Sequence, residues 1–170
     1  LYGSFALYGG RIDPGKGCEE LIEYFSSYTH AGGDASLILM GVKLMQLPEE
    51  RWIRFAGLLS ERERLQALEA ATIVVVPSPY ESLSLLALEA FAVGTPVLAN
   101  ARSDVLVDHC LRSNAGLFYA DRDEFVEGLK LLLADHHGVP RVGAALVAHH
   151  AVGPLREDVD QLPLAFVTPL

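Results

Sequence analysis

Two carboxylates and two cations hold positions that a packing pattern alone does not explain. Glu81 lies in a Pro-rich break after an apolar run, Ile73–Val76. Glu89 lies eight residues on, inside a stretch that is otherwise Leu, Ala, Phe and Val. Arg11 and Lys16 sit in a glycine-rich segment, Gly9-Gly10-Arg11-Ile12-Asp13-Pro14-Gly15-Lys16-Gly17. A carboxylate repels phosphate but accepts hydrogen bonds from hydroxyl groups; a Lys or Arg does the reverse. The backbone amides of Leu83, Ser84 and Leu85 would open a helix, and a helix N-terminus attracts phosphate. Phosphate held centrally by Arg11, Lys16 and those amides, with hydroxyls on Glu89 and Glu81 to either side, describes a nucleotide sugar: Glu89 would take a vicinal diol such as a ribose, and Glu81 the hydroxyls of the group that the phosphate carries.

The elements that must position these residues follow from the apolar patterning. Val74–Asn100 (VVVPSPYESLSLLALEAFAVGTPVLAN) reads as strand, loop, helix, strand, a βαβ unit. Before it, residues 4–9 form a first strand and Cys18–Tyr28 a helix with Leu21, Ile22 and Phe25 on its apolar face. Ser36–Gly41 and Trp52–Ala56 are further strands. Ser60 caps a helix running to Ala70, with Glu63 completing a capping box. After it come a short helix at Val105–Leu111, a turn at 113–116, a strand at Leu117–Tyr119, and an amphipathic helix at Asp121–Asp135 capped by Asp121 with Glu124 at its third position. Weaker helices are expected at Val142–Val152 and around Leu155–Leu162. Apolar strands alternating with helices predict an α/β fold: a Rossmann-like, mostly parallel sheet with helices on both faces and ligands at the carboxyl ends of the strands. Residues 1–153 make up that domain and 154–170 a tail.

Composition narrows the function classes. The 170 residues are 51% hydrophobic, with mean hydropathy +0.27, so they support a packed core. The net charge of −9 disfavours nucleic acid as a partner. Cys18 and Cys110 stand far apart, without a disulfide framework or a zinc pattern. Arg11 and Asp13 interrupt the early apolar run, which argues against a signal peptide, and no uncharged stretch is long enough to span a bilayer. A cytoplasmic location is expected.

Several sharper motifs give way to plainer ones. Gly10-x4-Gly15-Lys16 approaches a P-loop, but Gly17 stands where the magnesium-binding hydroxyl is needed. Asp121-Arg122-Asp123 opens a helix, where aspartate is expected, and Asp158-Val159-Asp160 falls in the tail, so neither is assigned a metal. His136-His137 and His149-His150 are adjacent pairs that cannot face one another on a helix, and read as surface. Ser82 and Ser84 read first as helix caps. His109 and Cys110 could approach the ligand loop but read first as part of a short buried or rim helix, and Trp52 reads as core or sheet edge.

Three of these motifs together resemble the donor-binding, C-terminal domain of GT-B glycosyltransferases, most closely the large retaining family 4 (group 1). GGRIDPGKG (Gly9–Gly17) is similar to that family's phosphate loop. PSPYESLSLLALEAFAVGTPVLA (Pro77–Ala99) resembles its E-x7-E signature followed by A-x-G-x-P-V. The helix after the AGLFY strand matches in kind and order. The resemblance spans roughly residues 5–150. It implies a nucleoside-diphosphate sugar as donor substrate and no metal cofactor. Arg11, Lys16 and Glu81 would be the catalytic groups, with Gly10, Leu83, Ser84, Leu85 and Glu89 binding the donor and Leu58, after Gly57, near its base. It implies a sugar transfer with retention to an acceptor glycan or lipid, bound by an N-terminal domain that this chain lacks, so that the isolated domain would be inactive. Peripheral association of the full enzyme with a membrane is compatible with such an acceptor. The chain departs from the family at Asn100–Val105, where a Gly-Gly-x-Pro-Glu loop is usual, and in the tail, which lacks the usual aromatic pattern. The alternatives are a non-catalytic nucleotide- or sugar-binding module and a sugar-nucleotide epimerase-like relative.

Overall fold

The computed structural model describes residues 3–134. The expected helices at 142–152 and 155–162, both histidine pairs, Asp158-Val159-Asp160 and the boundary at 153 lie outside them. Six strands form one sheet: β1 (Phe5–Ile12), β2 (Ser36–Lys43), β3 (Ile53–Gly57), β4 (Ile73–Val76), β5 (Val97–Asn100) and β6 (Gly116–Tyr119). Their order is β3-β2-β1-β4-β5-β6, and every pairing is parallel. Four α-helices lie between them, α1 (Cys18–His30), α2 (Glu61–Ala70), α3 (Leu85–Ala92) and α4 (Asp104–Ser113), and α5 (Arg122–Ala134) follows β6; β2 runs to β3 without a helix.

Parallel strands need crossover helices, and those helices bury both faces of the sheet. All four residues of β4 and all four of β5 are accordingly buried. Alternation then divides the core in two. Ala6, Tyr8, Ile73, Val75 and Leu98 point to one side, where they pack with Leu21 and Phe25 of α1 and Phe125 and Leu129 of α5. Phe5, Leu7, Val74, Val76 and Val97 point to the other, against Leu68 of α2, Ala87, Ala90 and Phe91 of α3, and Leu106 of α4. Each fully buried Leu or Phe contributes roughly 1.5–3 kcal/mol of transfer free energy. Trp52 falls just before β3 and stacks on Phe25, ring centroids 5.5 Å apart.

Several boundaries differ from the sequence-based expectation: β2 runs two residues past Gly41, α1 two past Tyr28, and β6 starts one before Leu117. β1 continues through Gly9, Gly10, Arg11 and Ile12, which pair with Met40 to Lys43 of β2. Glycine there serves close approach rather than a turn: a Cβ on Gly41, at φ 122°, would lie 2.0 Å from the Gly10 carbonyl oxygen. The strand at Trp52–Ala56 is shifted to Ile53–Gly57. α4 is longer than Val105–Leu111 by a residue at its start and two at its end, where Asn114 closes it in the left-handed conformation (φ 48°). The capping box of α2 and the Asp121–Glu124 cap of α5 form as expected: Glu63 N–H donates to Ser60 Oγ, and Glu124 N–H donates to Asp121 Oδ1 at 2.9 Å. Asp123 pairs with Arg122.

Both cysteines are buried and free. Burial pushes the Cys110 thiol up to about 12 and raises Cys18 as well. The thiolate is the reactive form, so the folded chain should leave both thiols unmodified by a thiol-specific chromogenic reagent at pH 7.5. Addition of denaturant should then release two equivalents. Rapid labelling of either in the folded state would contradict this packing.

Candidate functional site

The strand order reverses its sense of progression at β1 and β4, which pair side by side through Ala6 with Ile73 and Leu7 with Val74. From β1 the chain crosses to β2 on one flank, and from β4 to β5 on the other. The loops that follow them both lie at the carboxyl ends of the strands, the usual ligand position in open α/β sheets.

The first loop is short and tightly held. Pro14–Lys16 make one 3-10 turn, capped by Asp13, whose Oδ1 accepts from Lys16 N–H at 3.0 Å. Gly17 then takes φ 75° and starts α1. A Cβ there would stand 2.3 Å from the Pro77 carbonyl oxygen, so only glycine lets this loop lie against the one after β4. Arg11, at the end of β1, is well exposed and pairs with Asp13 at 3.3 Å. Its carbonyl accepts a 2.7 Å bond from the Tyr8 hydroxyl. Burial raises the Tyr8 pKa, so that group stays a protonated donor.

The two loops meet in an ion pair: Lys16 Nζ lies 2.8 Å from Glu81 Oε1, with both side chains mostly buried. Gly10, Arg11, Lys16 and Glu81 are thus brought to one rim. The second loop then leads through Leu83 and Ser84 into α3, whose first amides have no carbonyl to receive them within the helix. Leu83 and Leu85 are exposed there. Ser84 does not cap α3 with its side chain, contrary to the sequence-based reading. It occupies the cap position in the left-handed conformation, φ 57° and ψ 76°, with no side-chain cap hydrogen bond. A side chain costs about 1–2 kcal/mol in that region. Glycine would remove the strain while adding unfolded-state entropy. Ser84→Gly is therefore expected to stabilise the chain by up to about 1 kcal/mol, read from the urea midpoint.

Glu89 lies on the second turn of α3, about a quarter exposed, and pairs with Arg64 of α2. Leu58 follows β3 after Gly57, which takes φ 77°, and is 77% exposed.

Three contributors were not assigned from the sequence. Arg64 is one; nothing in its spacing announces a partner on another helix. The second is His109 of α4, whose Nε2 lies 2.7 Å from the Leu83 carbonyl oxygen and so carries the proton that it donates. The sequence reads it first as part of a short buried or rim helix; it is buried on α4 and also bonds the backbone just before α3. The third is the Asn100–Val105 segment. Asn100 is buried at the end of β5 and donates through Nδ2 to the Pro77 carbonyl (2.9 Å) and to Glu20 Oε1 (3.2 Å). Its Oδ1 accepts from Arg102 N–H at 3.0 Å. Arg102 in turn reaches both carboxylate oxygens of Glu20 at 2.6 Å. The divergent segment thus joins β5, the loop after β4 and the first turn of α1.

Among the described residues no three His, Cys, Asp or Glu side chains converge closely enough to hold a metal ion, and no helix is long and apolar enough to cross a membrane. A shallow groove of about 350 Å³ along α2 is lined by Glu61, Arg62, Leu65, Gln66, Glu69 and Val93, and includes none of the rim residues.

Comparison with known proteins agrees with this architecture. Residues 4–135 match the family model described as glycosyl transferases group 1. A GDP-mannose-dependent alpha-(1-6)-phosphatidylinositol dimannoside mannosyltransferase of Mycobacterium tuberculosis is 32% identical over 103 residues, 57% of this chain and 27% of that protein. Sucrose-phosphate synthase from Thermosynechococcus elongatus superposes with a TM-score of 0.66 at 25% identity, covering 84% of this chain and 39% of that one. The Anabaena protein HepE, solved in complex with UDP, superposes at 0.68 with 18% identity over 84% of this chain and 42% of its own. The chain spans about a fifth to two fifths of the length of the curated relatives that it matches. With a Rossmann-like sheet shared with GT-B enzymes and a family match over most of its length, the chain belongs to the group 1 glycosyltransferases.

Proposed function

We propose that this chain is the donor-binding domain of a retaining glycosyltransferase that takes its sugar from a nucleoside-diphosphate sugar. The observation that carries the reading is the meeting of Lys16 and Glu81, 2.8 Å apart, where the β1 and β4 loops come together. A cation for phosphate and a carboxylate for hydroxyls stand there side by side, at the mouth of a helix N-terminus.

In this reading the diphosphate lies over the start of α3, against the amides around Leu83–Leu85, with Gly10 allowing its close approach. Lys16 and Arg11 turn from Glu81 and Asp13 to the phosphate oxygens. As the bond from sugar to phosphate breaks, negative charge grows on the leaving diphosphate, and these fixed cations and the helix dipole stabilise it without a metal ion. Glu81, released from Lys16, accepts hydrogen bonds from sugar hydroxyls. Glu89 receives the ribose diol, and the base lies near Leu58. The acceptor, a glycan or lipid, is assigned to a second domain outside these 170 residues, without which transfer is not expected. The mannosyltransferase among the relatives is named for GDP-mannose, which supports a nucleoside-diphosphate donor without fixing its base here.

Calorimetric titration with UDP, GDP and ADP, first without metal and then with magnesium, tests the reading. Binding of one diphosphate, unchanged by magnesium, is the expected result. No binding of any of the three, or binding only with magnesium, would overturn it.

A further inference from the structure

We propose that Arg64 is a positioning residue for Glu89, fixing its carboxylate to receive the ribose diol. This inference rests on the donor-binding reading above, and gives the Arg64–Glu89 pair a role in it.

The placement carries the argument. Arg64 lies in the first turns of α2, with its amide donating to the Ser60 carbonyl at 2.9 Å. That helix end stands at the carboxyl edge of the sheet, just after β3 and the exposed Leu58. From there Arg64 Nη1 donates to Glu89 Oε2 on α3. Both side chains are about two thirds to three quarters buried. A glutamate side chain has three rotatable bonds and, unheld, would sample several rotamers on the flank of α3. The guanidinium is planar and permanently charged, and fixes the carboxylate through one oxygen. Among the described residues Oε1 of Glu89 has no hydrogen bond, and Oε2 retains a lone pair. Two acceptor sites held in one orientation suit two adjacent hydroxyls. The guanidinium also offsets the Glu89 charge, which would otherwise repel a diphosphate bound at the start of the same helix.

A structural salt bridge between α2 and α3 would look similar, so the test reads out the ribose and not stability. The tightest of UDP, GDP and ADP and its 2′-deoxy counterpart are titrated by calorimetry against the 170-residue chain and its Arg64→Gln and Arg64→Lys variants, each checked for folding by circular dichroism. The native chain should prefer the ribonucleotide by roughly tenfold, the scale of a hydrogen bond to a charged group. In Arg64→Gln that preference should fall below about threefold while the affinity for the 2′-deoxy compound stays within about twofold. Arg64→Lys, which keeps the charge and loses the planar fork, should fall between. A native-sized preference in a folded Arg64→Gln or Arg64→Lys variant would overturn the proposal. So would an equal loss of affinity for both nucleotides, which would place Arg64 at the phosphates or in the fold. A native chain that binds diphosphate but does not distinguish the two sugars would instead remove Glu89 from the ribose, and this inference with it. Failure of every diphosphate to bind would overturn the donor-binding reading itself.

Discussion

Lys16→Ala is expected to weaken nucleoside-diphosphate binding by about ten- to a hundredfold, the range for hydrogen bonds to a charged group. Two effects add. The variant removes a cation from the proposed phosphate site, and it leaves Glu81, now held at 2.8 Å by Lys16, as a bare carboxylate beside the incoming anion. Arg11 compensates little, because it is more exposed and closer to solvent screening. The second effect can be isolated. In a Lys16→Ala/Glu81→Gln double variant the repulsion is gone, and affinity should recover part of the loss relative to Lys16→Ala alone. Calorimetry at low and moderate salt measures both, and the Lys16 effect should shrink as salt rises. An affinity for diphosphate unaltered by Lys16→Ala would remove this lysine from the site.

Gly17→Ala is expected to destabilise the fold by more than about 2 kcal/mol. Positive φ in a residue with a side chain costs about 1–2 kcal/mol by itself, and here φ is 75°. The new Cβ would also stand 2.3 Å from the Pro77 carbonyl oxygen, a backbone atom that cannot rotate away as a side chain end can. For a domain of this size such a loss lowers the melting temperature by roughly 4–8 °C. Gly15, two residues earlier, is the internal control. A Cβ there meets only Asp13 Oδ1, at 3.1 Å, so Gly15→Ala should change the melting temperature by far less. Equal losses at both positions would mean that the contact between the β1 and β4 loops is not what requires Gly17.

The two glycines also show what the sequence reveals and where it stops. Apolar runs such as Ile73–Val76 and Val97–Ala99 identified themselves as buried strands, because parallel strands covered on both faces leave no polar alternation. Caps with local partners, Ser60 with Glu63 and Asp121 with Glu124, were legible because both members lie within one turn. The glycines of the first loop were harder. Gly9 and Gly10 look like turn residues, but they continue β1 along β2, where the Gly10 carbonyl lies too close to Gly41 for a Cβ on the latter. Ser84 looks like a cap, but the geometry that a cap needs was overridden by the left-handed turn entering α3. The site residues were legible as chemical types and not as pairs. Lys16 and Glu81 are 65 residues apart, and Arg64 and Glu89 are 25 apart on different helices. Which carboxylate meets which cation depends on strand order, and no local pattern states that order. For the same reason nothing in the sequence puts His109 on the Leu83 carbonyl.

The way Asn100 ties the rim together has a consequence for how the chain reaches its native state. Asn100 reaches Glu20 across 80 positions of sequence and Pro77 across 23, while Arg102 reaches Glu20 across 82. The bonds to Glu20 cannot form until β1 and β5 lie in one sheet with β4 between them, and the bond to Pro77 needs β4 beside β5. Closing such long loops costs entropy that only the assembled sheet returns, so contacts of this range mature late. Helices α2 and α5, stabilised within themselves and capped locally, are under no such constraint. In refolding, far-ultraviolet ellipticity should therefore recover ahead of the ability to bind a diphosphate, leaving an interval in which the chain is largely helical and the rim is still open.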